Sequence, residues 1–108
     1  MPEAALDTAD DPLLEVRTRI GRMEIRGNRV ILPEHSPEVI VLAPGPLGLL
    51  RVLAKAQGAV LPRHHLLAIL PRCGSEHALE MWVSRLRRAL PDPGLVQTVV
   101  KRGYRLAV

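Results

Sequence analysis

The chain has 108 residues, a formal net charge of +4, one cysteine and ten prolines. That length holds one domain with a modest core, a single cysteine excludes an intrachain disulfide or a cysteine-rich zinc site, and no apolar run approaches the ~18 residues of a membrane span. Phe is absent and Trp82 and Tyr104 are the only aromatics, so Leu, Val, Ile and Ala must fill the interior.

Residues 1–16 read as an acidic leader or linker. Met1 to Glu15 carries Glu3, Asp7, Asp10, Asp11 and Glu15 with no Lys or Arg, and only Leu6, Leu13 and Leu14 offer apolar anchors. Leu13 to Val16 also has the composition to join a sheet as a strand. The start lacks a basic region followed by an apolar run, so it does not read as a secretory signal, and a cytoplasmic protein with no membrane partner is expected.

The domain proper is expected over residues 17–108. From Arg19 to Leu32 the pattern suits a β-hairpin: Ile20, Met23 and Ile25 precede Arg26-Gly27-Asn28-Arg29, and Val30-Ile31-Leu32 follow. Gly27-Asn28 supplies residues tolerant of the positive φ that a tight turn requires. After a loop over Pro33 to Pro37, the β-branched run Val39-Ile40-Val41-Leu42 has strand length. A small antiparallel N-terminal sheet results.

Three helices follow. Pro44 and Pro46 suit a helix start, Leu47, Leu50, Leu53 and Ala54 recur at helical spacing, and Gly58 stands where a stop is expected. Pro62 opens a second helix with Leu66, Leu67, Ile69 and Leu70 as its buried side and Pro71 as its end. Ser75 or Glu76 starts a third that runs to Leu90, where Pro91-Asp92-Pro93-Gly94 ends it. Leu95 to Val100 and Tyr104 to Val108 then form a hairpin around Lys101-Arg102-Gly103. Three helices closed by a β-hairpin is the winged-helix arrangement of an α+β domain.

The third helix carries the chemistry. With Leu79 at the centre of its inner face, Val83, Leu86 and Leu90 fall in one stripe flanked by Trp82 and Ala89. The opposite side shows His77, Met81, Ser84, Arg85 and Arg88, with Glu80 and Arg87 at the margins. A helix fits the major groove of DNA, and an arginine there offers a bidentate fork to the O6 and N7 of guanine. Met81 suits a thymine methyl, and Ser84 is short enough to permit close approach. An ordinary amphipathic helix with a solvated arginine face has the same pattern.

Lys101 and Arg102 at the hairpin tip add a second basic surface, placed to reach phosphates or a minor groove; edge protection by charge is the other account. From Arg72 onward Arg72, Arg85, Arg87, Arg88, Lys101, Arg102 and Arg105 stand against Glu76, Glu80 and Asp92, a local excess that suits a polyanion. The competing reading is a winged helix used for protein contact, in which Met81, Trp82 and the arginines dock an acidic partner surface.

These residues resemble the OmpR/PhoB-type winged-helix effector domain of bacterial two-component response regulators. Leu42-Ala43-Pro44 with the Leu-rich helix and Gly58-Ala59-Val60-Leu61 is similar to that family's first-helix segment. Arg63 through Leu70 is similar to its second helix. Val83-Ser84-Arg85-Leu86-Arg87-Arg88-Ala89-Leu90, with Val96-Gln97-Thr98-Val99 and Gly103-Tyr104-Arg105-Leu106, is similar to its recognition helix and wing. The likeness covers roughly Arg19 to Val108. The ending from Leu95 to Leu106 also resembles actinobacterial proteins in which a uroporphyrinogen-III synthase-like domain precedes a winged helix.

The resemblance implies a transcriptional regulator of double-stranded DNA. Arg85 takes the place of a base-reading arginine, Trp82, Arg87 and Arg88 places of base or backbone contact, Met81 that of a residue touching thymine, and Thr98 that of a phosphate contact in the wing; Tyr104 is expected to anchor the hairpin. It also implies a homodimer on tandem half-sites, and RNA polymerase or a covalently linked N-terminal domain as further partners. Three departures stand out. Val100 and Lys101 replace an arginine and a glycine common in the wing, which moves the wing contact to Lys101 or Arg102. His77 replaces a frequent arginine. The loop from Pro71 to Glu76 is shorter than the family's polymerase-contacting loop.

No cofactor or metal is expected. His64 and His65 are adjacent on a helix and diverge by about 100°, and with His77 and Cys73 they form no converging zinc set. No nucleophile elbow or phosphate-binding glycine loop is present, which argues against an enzyme.

Overall fold

In the computed structural model, residues 13–108 are described; the acidic leader expected over residues 1–16 falls mostly outside them. Within the described residues four strands come first: β1 (Leu14–Thr18), β2 (Gly21–Arg26), β3 (Arg29–Leu32) and β4 (Ser36–Val41). They form one antiparallel sheet in the order β1-β2-β3-β4. Leu14, Glu15 and Val16 therefore lie in the sheet, as the strand alternative for this segment has it, and not in a leader. Val16, paired with Met23, is buried, so residue alternation fixes the strand's inner face.

The β2–β3 turn has the expected position, with Arg26 opposite Arg29. Of its two central residues only Gly27 takes a positive φ, 60°, as the first central position of a type II′ turn requires. β4 begins earlier than expected and includes Pro37. A proline lacks a donor for the ladder, and here it is accommodated because β4 is an edge strand, with a bulge in the register at Ile31/Leu32. Met23, Ile25, Val30 and Leu32 form the fully or almost fully buried inner face.

Helix α1 (Pro44–Lys55) covers this sheet. Its N-terminus has no side-chain cap, but Pro44 and Pro46 in the first turn lack two of the amide hydrogens that a cap would have to satisfy. Leu49, Leu50, Leu53 and Ala54 form the buried stripe; Leu47 is only partly covered, and Leu49 takes the central place. The helix α2 (Arg63–Ile69) is short and buries Leu66; Leu70 follows in extended conformation and is also buried. Ile69, expected inside, is exposed, because α2 ends there and only one stripe of so short a helix can face the core.

Helix α3 (Glu76–Ala89) has consistent end signals. Ser75 Oγ accepts from Ala78 N–H at 3.1 Å, Glu76 lies in the positive first turn, and Arg87 and Arg88 lie in the negative last turn. A 3-10 turn (Pro93–Leu95) then leads into β5 (Val96–Val99) and β6 (Gly103–Leu106), which pair as a two-stranded hairpin. Arg19 and Asp92 fasten the sheet side to the segment after α3 through a two-pronged ion pair (Nε–Oδ2 2.8 Å, Nη2–Oδ1 3.1 Å). Asp92 Oδ1 also accepts from Gly94 N–H. Arg19 N–H and Leu95 O engage Ala107 from opposite sides, which closes the C-terminal strand onto the body.

Candidate nucleic-acid interface

Leu79, Val83 and Leu86 are buried along α3, and Leu90 is buried just after it. This fixes the rotation of the helix about its own axis. His77, Met81, Ser84, Arg85 and Arg88 consequently emerge on the outside, with Met81 41% exposed. Ala89, expected to flank the buried stripe, is exposed with them. Among the described residues neither Arg85 nor Arg88 forms a hydrogen bond or ion pair. Two guanidinium groups three positions apart thus occupy one free helical face. An arginine fork with all its donors available is what bidentate base or phosphate recognition requires.

Trp82 and Arg87 are held differently. Trp82 is half-buried and packs on the core and on Gly45 of α1, where a Cβ atom would collide with the indole ring. Its ring therefore sets the spacing of α1 and α3, and only its remaining surface is offered outward. Arg87 turns toward the hairpin: Nε–H donates to Val96 O at 3.0 Å and an Nη2 hydrogen to Thr98 Oγ1 at 2.9 Å. Arg87 and Thr98, both read from the sequence as contact positions, thus meet each other and join α3 to β5. Amphipathic periodicity places Arg87 at the margin of the helix but cannot show that a strand supplies acceptors there.

The hairpin is clamped from behind. Leu61 N–H donates to Tyr104 O at 2.8 Å and Tyr104 N–H to Leu61 O at 3.1 Å. Gly103 lies against the Leu61 carbonyl at φ 143°, where a side chain has neither room nor a favourable backbone. Tyr104 is 3% exposed and anchors the hairpin as expected. The wing turn runs from Val100 to Arg102, with Arg102 N–H donating to Val99 O at 2.8 Å. Lys101 has φ 63°, an uncommon value for a non-glycine residue. The Lys101 and Arg102 side chains are exposed and without intramolecular partners among the described residues.

Arg63 and His64 at the start of α2 border the same cleft as Lys101 and Arg102. Sequence reading passes over Arg63, because only the Leu61–Tyr104 pairing brings α2 beside the wing. His64 and His65 are exposed on α2, whereas Cys73 is buried, which raises its thiol pKa. Among the described residues no three His, Cys, Asp or Glu side chains converge as a metal site, and no helix is long and apolar enough to cross a membrane.

The family described as "Transcriptional regulatory protein, C terminal" matches residues 37–106. The chain belongs to this family. Its members are regulators of transcription rather than enzymes, and the matched span takes in the three described helices and the wing.

No curated protein matches this family member. Solved structures do. The DNA-binding domain of Escherichia coli CadC is 25% identical, with a TM-score of 0.72 and coverage of 91% of this chain and 94% of that one. The DNA-binding domain of CpxR from E. coli is 27% identical, with a TM-score of 0.68 and coverage of 89% and 96%. The DNA-binding domain of RstA from Klebsiella pneumoniae, solved in complex with an RstA box, has the same fold at 24% identity, with a TM-score of 0.66 and coverage of 86% and 96%. This regulator's fold is the α+β winged helix of response-regulator DNA-binding domains.

Proposed function

We propose that the domain reads a specific sequence in double-stranded DNA, with α3 in the major groove and the wing on the adjacent backbone or minor groove. The observation that carries this reading is the free face of α3, where Met81, Ser84, Arg85 and Arg88 stand exposed beside a basic wing turn. Arg85 is assigned to a base edge, Met81 to a thymine methyl, Arg88 and His77 to phosphates or neighbouring bases, and Lys101 and Arg102 to the backbone. Trp82 and Arg87 hold this surface in register, and Thr98 serves as the acceptor that orients Arg87. The DNA-binding domains with the same fold support the assignment, and a bound RstA box is reported for one of them.

A small domain gains affinity from a second copy on an adjacent half-site, so a dimer on tandem sites is proposed in the cytoplasm. RNA polymerase and a linked N-terminal domain are proposed as further partners. The short connection between α2 and α3, residues 70–75, makes it the weakest candidate for the polymerase contact. The likeness to uroporphyrinogen-III synthase fusions rests on the C-terminal segment alone, and the matched structures are CadC and response-regulator domains instead. Protein docking on the α3 face is the less favoured use for the same reason.

Selection of bound duplexes from a random pool tests the reading. A defined consensus is expected, with log K for that duplex falling steeply against log salt, by about 0.9 per phosphate neutralised. Recovery of unenriched sequence, with weak binding throughout, contradicts it.

A further inference from the structure

The two edges of the four-stranded sheet are finished differently. On β1, buried Val16 sets Glu15 and Arg17 on the outer face, and charge on an edge deters a further strand. The outer positions of β2 are likewise Arg and Glu. On β4 the outer positions are Val39 and Val41, 48% and 63% exposed, beside Ile31 of β3. Three β-branched apolar side chains therefore line one edge of a face that is otherwise charged, where the usual protection is missing.

The backbone along this edge is open as well. Leu42 N–H donates to Asn28 O at 3.0 Å, and β3 and β4 pair Val30 with Ile40 and Arg29 with Val41. Hydrogen-bonded and non-hydrogen-bonded pairs alternate along an antiparallel ladder. Ile40 therefore directs its N–H and C=O to Val30, while those of Val39 and Val41 point to the free edge. Among the described residues neither valine has a backbone partner on that side. Pro37, which lacks an N–H, and the bulge at Ile31/Leu32 bound the open stretch at one end, and Leu42, turned back to Asn28, bounds it at the other.

We propose that β4 pairs antiparallel with β4 of a second copy of this chain, about a two-fold axis through Ile40. The stretch is self-complementary at this register. Each Val39 faces Val41 of the other copy, and the two pairs exchange four N–H to C=O hydrogen bonds. Moving the axis to Val39 or Val41 sets the other valine against Pro37 or Ala43, at the end of the open stretch. On the outer face Ile31, Val39 and Val41 of both copies merge into one apolar band, as cross-strand packing favours. Glu38 falls opposite Leu42, so no like charges meet across the join. The contact is isologous and closes at two chains. It does not rest on the DNA-binding reading: copies on tandem half-sites are related by translation along the duplex, whereas this pairing is two-fold and forms without DNA.

The test uses the intact chain without DNA. A contact this small is weak, so sedimentation equilibrium over about 0.01–1 mM chain is expected to show monomers giving way to dimers, with no larger species. Val39→Lys and Val41→Lys each add charge to the apolar band and are expected to weaken association by about tenfold or more. Both side chains are exposed, so the thermal melt of the dilute chain should stay as in the wild type. Amide exchange reads the register: raising the concentration should slow the Val39 and Val41 amides far more than those of β1. In a mixture of labelled and unlabelled chains, contacts between Val39 and Val41 methyl groups of different copies are expected. A chain that stays monomeric throughout this range overturns the pairing and leaves the edge to a strand of another protein. Dimers of wild-type strength in both lysine variants, or dimers that leave the Val39 and Val41 amides unprotected, also overturn it, because the contact then lies elsewhere. Selection of bound duplexes decides the DNA-binding reading separately, so the two can fail independently.

Discussion

Replacing Arg87 with Met keeps the hydrocarbon stem and removes both hydrogen bonds to β5. The Val96 side is nearly completely buried at 1% exposure, so its carbonyl loses its charged donor with little access to water. Thr98 is exposed and water replaces the donor there. Bonds to charged groups are worth about 1.5–3 kcal/mol and a stranded buried acceptor costs about 1–3 kcal/mol. Discounting the exposed half, the substitution should destabilise the domain by about 2 kcal/mol, or about 10 °C in Tm for a domain of this size. Urea denaturation followed by Trp82 fluorescence measures this, and a double-mutant cycle with Thr98→Val should return a coupling of about 0.5–1 kcal/mol. DNA binding should weaken less than it does on loss of Arg85. Wild-type stability within about 0.5 kcal/mol, together with abolished DNA binding, would refute the reasoning and return Arg87 to the contact surface.

Lys101→Gly should move stability and binding in opposite directions: relief of the positive φ stabilises by about 0.5–1 kcal/mol, while loss of the charge weakens all duplexes alike, as paired melting and binding titrations would show. Gly103→Ala places a methyl group against the Leu61 carbonyl at φ 143° and should cost more than about 3 kcal/mol; a cooperative melt at the wild-type temperature would contradict the packing described. The Arg19 hydrogen bond, aided by Gly94 N–H, holds the Asp92 carboxyl below its ordinary pKa. The folded state therefore favours the ionised form. Its stabilising effect is present above the ordinary carboxylate pKa of about 4 and is lost as pH falls through the lowered folded value. Asp92→Asn should accordingly show a flatter loss of stability on acidification than the wild type, measured by urea midpoints across that range.

The architecture was legible where local signals agree. Proline and glycine punctuation, the Leu79–Val83–Leu86–Leu90 stripe and the Ser75 cap identify the helices and the rotation of α3 from residue order alone. What the sequence concealed depends on long-range pairing. The first part of β1, Leu14 to Val16, reads as the end of an acidic leader because the segment up to Glu15 carries carboxylates and no Lys or Arg, and only pairing with β2 gives the alternation of Glu15 and Arg17 with buried Val16 and Thr18 its meaning. Pro37 marks a loop by local rules but is tolerated in β4 as an edge strand. In the candidate site, Arg85 and Arg88 follow from helical spacing, whereas the ties of Arg87 and the placement of Arg63 beside the wing depend on where β5 and Tyr104 return in space.

The orientation of α3, with hydrocarbon inward and unpaired guanidinium groups outward, is the claim on which the functional account turns. Binding of Arg85→Ala to the selected duplex and to its full set of single-base substitutions measures that claim most directly. The account predicts a loss of about 1–3 kcal/mol on the consensus and relaxed preference at one base pair, with discrimination kept elsewhere. Unchanged affinity and an unchanged preference profile would contradict it.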